Sequence, residues 1–304
     1  MLGGPKNGVE ARRVVAHTCF VREACSLSGV RLLSGLARSE TEGPPAEAAS
    51  SHRPAVERVV AAMREGADGP LTLRDMADVA HLSPYHFARV FKGVTGVPPG
   101  EFLGALRLER AKRLLLTTDL SVSEVCFEVG YQSLGTFTTR FKRLVGVSPG
   151  RMRRLPERLA SAFECASDPI APARGGGVPF RVVGSGLEEA IIFVGLFAGA
   201  VPQGHPVAGT VLEEPGAYSL SAVPDGLFEL MAAALPAAGG ISKFLLPDAA
   251  LHVGRAREPV LVRAGRAEGC PEVELRPPRI TDPPVLVALP ALLLERCEKH
   301  HTAI

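Results

Sequence analysis

A short pattern occurs twice in this chain, and it is the feature that most restricts the fold. The first copy lies between positions 87 and 100 and the second between 137 and 150, at a constant offset of 50 residues. The identical pairs are Phe87 and Phe137, Phe91 and Phe141, Lys92 and Lys142, Gly96 and Gly146, Val97 and Val147, Pro99 and Pro149, and Gly100 and Gly150. Identity at a fixed offset indicates one small structural unit that is built twice.

Each copy of the pattern belongs to a unit with signals for two short helices that are joined by a tight turn. In the first unit an apolar helical face begins at Leu73, and Ser83 is placed to cap the second helix. In the second unit Ser133 takes the place of Ser83. The second turn should be one residue longer, because Ala77 corresponds to Cys126 at an offset of 49. Two helices joined in this way have the layout of a DNA-binding helix-turn-helix motif.

The segment from Glu101 to Thr117 separates the two units and is predicted to be one continuous helix. It is rich in Leu, Ala, Arg and Glu, and it contains no Pro. A helix of this length spans about 25 Å. Such a rod would hold two DNA-reading helices about one turn of DNA apart, on the order of 34 Å.

The second unit resembles the signature of the AraC/XylS family of bacterial transcription regulators. The resemblance is carried by Val125, Cys126, Val129, Gly130, Tyr131, Ser133, Phe137, Phe141, Lys142, Gly146 and Pro149. It covers about residues 55–155, and Cys126 stands where the family usually has Ala. The resemblance implies a module of about seven helices, two of which enter successive major grooves. It also implies a cytoplasmic, nucleoid-associated regulator or activator, with double-stranded DNA and RNA polymerase as partners.

Helical-wheel spacing identifies the candidate DNA contacts as the side chains opposite the apolar stripe. In the first unit these are Tyr85, Arg89 and Lys92, with Ala88 on the flank. Arg89 is suited to a bidentate contact with guanine, which is worth about 1–3 kcal/mol of discrimination. Lys92 lies later in the helix and is expected to contact backbone phosphate.

The second unit presents a different set of side chains to DNA. Its candidates are Leu134, Gly135, Thr138, Thr139 and Lys142, with Arg143 at the helix edge. Because no Arg lies opposite the stripe, we expect the first unit to make most of the direct sequence choice. The second unit would mainly position the protein and read DNA shape. An ordinary helical bundle would also bury the paired phenylalanines, but it would not explain the basic outward face.

Length and charge divide the chain into regions. A chain of 304 residues suggests about two domains. We expect a flexible or disordered tail over 1–53, the DNA-binding domain over 54–158, a linker over 159–177 and a β-rich domain over 178–304. Residues 54–158 carry 16 Lys and Arg against 11 Asp and Glu, whereas residues 178–304 carry 10 against 14. The basic region can attract phosphate, and the acidic one should face away from DNA.

From Val178 onward, short apolar runs alternate with Gly and Pro, which predicts strands. The predicted strands are Phe180–Val183, Ala190–Phe197, Val207–Leu212, Ala217–Ala222, Leu227–Ala234, Pro259–Val262, Pro271–Leu275 and Val285–Leu289. Their spacing is typical of an antiparallel β-sandwich. The segment from Tyr218 to Leu230 resembles the sandwiches of prealbumin-like or carboxypeptidase-regulatory domains.

The remaining features favour a regulator over an enzyme. No apolar stretch is long enough to span a membrane, and the six cysteines are widely spaced, as is typical of reduced thiols in a cytoplasm. No catalytic residue, cofactor site or metal site is expected. The C-terminal domain would provide a small-molecule effector pocket, a dimer contact or a surface for another protein. The alternative is a DNA-targeted enzyme or repair-type protein with its chemistry in that domain.

Overall fold

The structure is a computed structural model that describes residues 20–21, 46–66, 69–165, 177–187, 189–236, 245–246, 251–292 and 294. Helices form the first part of this region. They are α1 Ala46–Glu65, α2 Leu73–Ala80, α3 Pro84–Thr95, α4 Pro99–Thr117, α5 Val122–Glu128, α6 Leu134–Val145, α7 Pro149–Arg153 and α8 Leu155–Cys165. Across the described residues, no helix is both long enough and apolar enough to cross a membrane.

Capping boxes start the first helix of each repeated unit. Thr72 accepts a hydrogen bond from the Asp75 amide, and the Asp75 carboxylate accepts one from the Thr72 amide. Ser121 and Glu124 do the same for α5, and Ser121 is its cap. Hydrogen bonds from the side chain and then the backbone of the capping residue lower the pKa of each carboxyl group. Local chemistry therefore fixes where these helices begin.

The predicted spacer helix is α4, and it lies at the centre of the helical module. It begins at Pro99, two residues earlier than predicted, because a proline fits the first helical position. Phe102 of α4 packs edge-on against Phe91, with ring centroids 5.5 Å apart. Arg110 of α4 pairs with Glu128 of α5 at 2.9 Å. Helix α4 thus contacts both repeated units.

Strands form the second part of the described chain, apart from β1, which precedes the helices. They are β1 Phe20–Val21, β2 Val178–Val183, β3 Ala190–Phe197, β4 Ala208–Leu212, β5 Gly216–Leu220, β6 Gly226–Pro236, β7 His252–Arg255, β8 Val260–Arg263, β9 Arg266–Ala267 and β10 Glu272–Glu274. A seven-stranded sheet has the order β1-β4-β3-β6-β8-β9, with β7 also paired to β6. A three-stranded sheet has the order β10-β2-β5. The strand pairs of the larger sheet are antiparallel.

The β-rich region departs from the prediction in its sheet arrangement and in its strands, which include the short β9 that was not predicted. The all-antiparallel sandwich is not confirmed, since β10 pairs with β2 in parallel. The strand β7 was not predicted, because His252–Arg255 lacks an apolar alternation and forms on the edge of the long β6. The predicted strand Val285–Leu289 is wrong, because the amides of Leu286 and Val287 donate to Pro202 instead of entering a ladder.

The predicted tail and linker also differ from the structure. Phe20–Val21 lies in the predicted tail but pairs with β4. Helix α1 begins at Ala46, inside the same predicted tail, and α8 extends to Cys165, inside the predicted linker. The other residues of the tail, and positions 166–176 of the linker, lie outside the described residues.

One continuous apolar core joins the helical module to the larger sheet. The sheet face that belongs to this core carries Ile191, Phe193, Phe197, Met231, Ala233 and Leu235. The opposite face packs against the three-stranded sheet in a second core. Hydrogen bonds also cross the boundary, from the Ala288 amide to the Val145 carbonyl (3.0 Å), from the Gly204 amide to the Leu144 carbonyl, and from the Lys112 ammonium to the Val285 carbonyl (2.9 Å).

Candidate nucleic-acid interface

Helix α3 presents the first predicted reading face. The Ser83 side chain caps its start by accepting from the His86 amide, and Pro84 occupies the first helical position. Phe87 and Phe91 are fully buried and hold one side of the helix against the module. At the other end Gly96 adopts φ 82°, a left-handed conformation that glycine takes at little cost.

Helix α6 repeats this construction in the second unit. Ser133 accepts from the Thr136 amide, Phe137 and Phe141 are fully buried, and Gly146 ends the helix at φ 94°. The shared residues of the repeat are therefore caps and core. They determine how each helix is held, and they leave the opposite faces of the helices to differ.

The turns before these two helices differ in length, as the sequence predicted. The left-handed residue is His81 at φ 56° in the first unit and Gly130 at φ 79° in the second, which are 49 positions apart. The caps Ser83 and Ser133 are 50 positions apart. One extra residue therefore lies between the turn and the cap of α6.

The predicted contact residues lie on the solvent-facing side of their helices. On α3, Tyr85 is 81% exposed, Arg89 and Lys92 are exposed, and Ala88 is half-buried. On α6 the exposed positions are Leu134, Gly135, Thr139, Lys142 and Arg143, and Thr138 is half-buried. Their exposure leaves both sets open to a ligand as large as DNA. Their contacts with bases or phosphates stay a prediction.

Arg140 lies on the protein-facing side of α6. Its guanidinium packs over Gly104 of α4, where an added Cβ would come within 2.9 Å of Nη2. Its Nε is buried and makes no hydrogen bond. Burial raises the pKa of the nearby Tyr131, while the charge of Arg140 acts in the opposite direction. Arg140 therefore packs between α6 and α4, and it does not add an arginine to the predicted base-reading face of α6.

The two reading helices carry no acidic residue, although acids occur in the helices that precede them. A face with Arg, Lys and hydroxyl groups but no carboxylate can approach phosphates without like-charge repulsion. His86 is an exposed residue in the first turn of α3 that the helical wheel did not select. Its ring meets His52 of α1 edge-on, with centroids 5.5 Å apart. Only the tertiary contact between α1 and α3 reveals this pair.

Comparison with known proteins identifies the class of the helical module. Residues 76–155 match the family model described as a helix-turn-helix domain. Together with the paired units described above, this match shows a helix-turn-helix DNA-binding domain of the kind found in transcription regulators, as the sequence predicted. The match does not extend into the β-rich region, and the prealbumin-like resemblance of that region is not confirmed.

The relatives of this domain include several bacterial transcription regulators. The chain is 34% identical over 112 residues to the HTH-type transcriptional regulator GlxA of Rhizobium meliloti, covering 37% of this chain and 35% of that protein. It is 34% identical over 83 residues to the HTH-type transcriptional activator AarP of Providencia stuartii, covering 27% and 62%. The bifunctional transcriptional activator/DNA repair enzyme AdaA of Bacillus subtilis is 35% identical over 85 residues, covering 28% and 40%. The chain thus spans less than two thirds of these relatives.

Among solved structures, the DNA-binding domain of AdpA in complex with a target DNA is 34% identical to this chain. The likeness covers 32% of this chain and 88% of that domain, with a TM-score of 0.31.

Proposed function

We propose that this protein is a sequence-specific DNA-binding transcription regulator that inserts α3 and α6 into successive major grooves. The observation that carries the proposal is the matched pair of exposed, acid-free helices, α3 and α6, one in each of the two units that α4 connects. At about 1.5 Å per residue, the 19 residues of α4 span about 28 Å, which is close to one turn of DNA. Its partners would be promoter DNA and RNA polymerase, in the bacterial cytoplasm.

Within this proposal, α3 makes most of the base-specific contacts. Arg89 can donate two hydrogen bonds to guanine, whereas Thr139 at the equivalent position can offer only a hydroxyl and a methyl group. Tyr85, which is 81% exposed, lies one helical turn before Arg89. Lys92, Lys142 and Arg143 would hold phosphates and fix the register on the duplex.

Binding-site selection from random DNA tests this assignment. Arg89→Ala should relax the preference at one base-pair position by about 1–3 kcal/mol, whereas Thr139→Ala should have a smaller effect. Arg263→Ala removes an exposed arginine on β8, in the C-terminal region, and serves as the charge-matched control. If Thr139→Ala relaxed specificity more than Arg89→Ala, the assignment would be wrong. If the wild-type protein selected no sequence at all, the regulator proposal itself would fail.

The β-rich region is proposed to be a sensing or interaction domain without catalytic activity of its own. The support for this proposal is the position of the β-rich region, which packs against the C-terminal ends of both reading helices. Arg255 lies against Gly96 at the end of α3, and His205 lies against Gly146 at the end of α6. The predicted base contacts Tyr85 and Gly135 lie at the opposite ends of those helices, so the β-rich region would not meet the bases that they read. The similarity to the repair enzyme AdaA falls within the helix-turn-helix part and gives no support for chemistry here.

A further inference from the structure

A cavity of about 910 Å³ lies between the helical module and the β-rich region. One wall is the last turn of α3, Gly93 to Gly96, together with Arg53 of α1. The other walls come from the larger sheet and from the chain after β10. Its volume is in the upper part of the range of about 300–1,000 Å³ that small-molecule sites occupy. A ligand in this cavity would contact a DNA-reading helix directly.

Arginines line the cavity where the β-rich region meets the end of α3 and α1. Arg255 of β7 places its guanidinium 3.1 to 3.7 Å from where a Cβ on Gly96 would lie, and Arg53 lines the same cavity. The nearest carboxylate partner of Arg255 is Glu229 at 3.9 Å, and the Arg255 side chain is 42% exposed. An exposed pair at that distance contributes little, so an incoming anion could replace it. Arginine is also the side chain best shaped to bind a carboxylate through two hydrogen bonds.

The other residues that line the cavity favour a ligand with a single negative charge and an apolar body. Phe193, Met231 and Val287 are buried apolar residues of its lining. Exposed carboxylates also line the cavity and would repel a polyanion; they belong to Glu258, Glu268, Glu272 and Glu274. Three more arginines line the cavity, Arg257, Arg276 and Arg279. Asp282 already holds Arg276 through two hydrogen bonds of 2.7 and 3.0 Å.

We propose that this cavity binds a small organic monocarboxylate, with the carboxylate on Arg53 and Arg255 and the apolar body against the sheet. The inference rests on the proposed function, since it names the effector class of the sensing region. Arg53 belongs to the module and Arg255 to the β-rich region, so one carboxylate would bridge the two. Arg255 also faces the negative end of the α3 dipole, so occupancy by an anion changes the charge at the end of a reading helix. A ligand that binds more tightly to one relative arrangement of the helical module and the β-rich region shifts the protein toward that arrangement. The DNA affinity then changes by no more than the difference in ligand affinity between the two arrangements.

Intrinsic fluorescence provides a direct test, because the chain has no tryptophan. Leu261→Trp places a single reporter at a position that lines the cavity and is 40% exposed, so the substitution should be tolerated. The probes are hexanoate, octanoate, benzoate and phenylacetate, each matched with its neutral amide. Arg255→Gln and Arg53→Gln are made in this background, with Arg255→Lys as the charge-conserving variant. Arg181→Gln on β2, which is exposed and does not line the cavity, is the matched control.

We expect at least one carboxylate to give saturable fluorescence and a higher Tm, and its amide to bind much more weakly. Each Arg→Gln variant should raise Kd by about tenfold or more, as is usual for losing a hydrogen bond to a charged group, with Arg255→Lys intermediate and Arg181→Gln unchanged. The inference is overturned if no carboxylate binds, if the amides bind equally well, or if the arginine variants bind like wild type. Anisotropy with selected DNA and no ligand is measured in parallel. DNA binding without carboxylate binding refutes this inference alone, whereas loss of sequence-specific DNA binding refutes the proposed function.

Discussion

Lys112 offers a quantitative test of the contact between the helical module and the β-rich region. It lies on α4, and its Nζ donates to the Val285 carbonyl at 2.9 Å. Desolvation lowers the pKa of this ammonium from 10.5 to about 8, while Glu109 acts in the opposite direction.

The sign of the effect follows from proton binding in the two states. The unfolded chain keeps a lysine pKa of 10.5, and the folded chain has about 8. Between these values the unfolded state binds more protons, so the free energy of unfolding should rise with pH in this window. At roughly 1.4 kcal/mol per pKa unit the full effect is about 3 kcal/mol. Because the side chain is only half-buried by surface area, solvent screening should reduce the effect to about 2 kcal/mol.

Lys112→Met removes the titrating group and keeps most of the apolar stem. Relative to this variant, the wild-type protein should gain about 2 kcal/mol of stability between pH 7 and pH 10. Urea denaturation at a series of pH values measures the difference. Lys92→Met removes an exposed lysine of α3 and controls for the loss of charge alone. Stability curves of wild type and Lys112→Met that stay parallel across this range would refute the reasoning.

Two further predictions concern the repeated units. Thr72→Ala should destabilise the module by about 1 kcal/mol, because the capping hydrogen bonds are lost. The same change should return the pKa of Asp75 toward its usual value. NMR titration of Asp75 measures this pKa, and an unchanged value would show that the capping box is unimportant. Gly146→Ala should cost about 1–2 kcal/mol in thermal unfolding, because alanine disfavours φ 94° and its Cβ would lie 3.4 Å from His205 Nε2. Gly150→Ala, whose added Cβ would meet nothing within 4 Å beyond the adjacent chain, should cost less, and an equal cost would contradict the argument.

The repeated units could be predicted in detail because their determinants are local. Ser83 bonds to an amide three residues away, and Gly96 ends α3 through its own φ. The spacing of Phe87 and Phe91 places both on one helix face, whatever else they contact. Even the longer second turn could be predicted from an offset of 49 against 50. The candidate reading face follows from the same periodicity, since the side opposite the core must face outward.

The β-rich region could be predicted less well because strands need partners that are distant in sequence. Val285–Leu289 has the composition of a strand, yet its backbone groups bond to Pro202 and Val145, and it connects the sheet to α6. In contrast, His252–Arg255 has a weak strand pattern and becomes β7 because β6 offers a free edge. Neither outcome can be predicted from a short window of residues.

The sequence by itself determined that two helix-turn-helix units exist, how each is capped, and which residues face outward. All of these depend on side chains within one or two helical turns of each other. Only the tertiary structure decided that the β-rich region packs where both reading helices end, and that Arg53 and Arg255 line one cavity beside α3. Those residues are about 200 positions apart, and only the packing of the sheet against the helices brings them together.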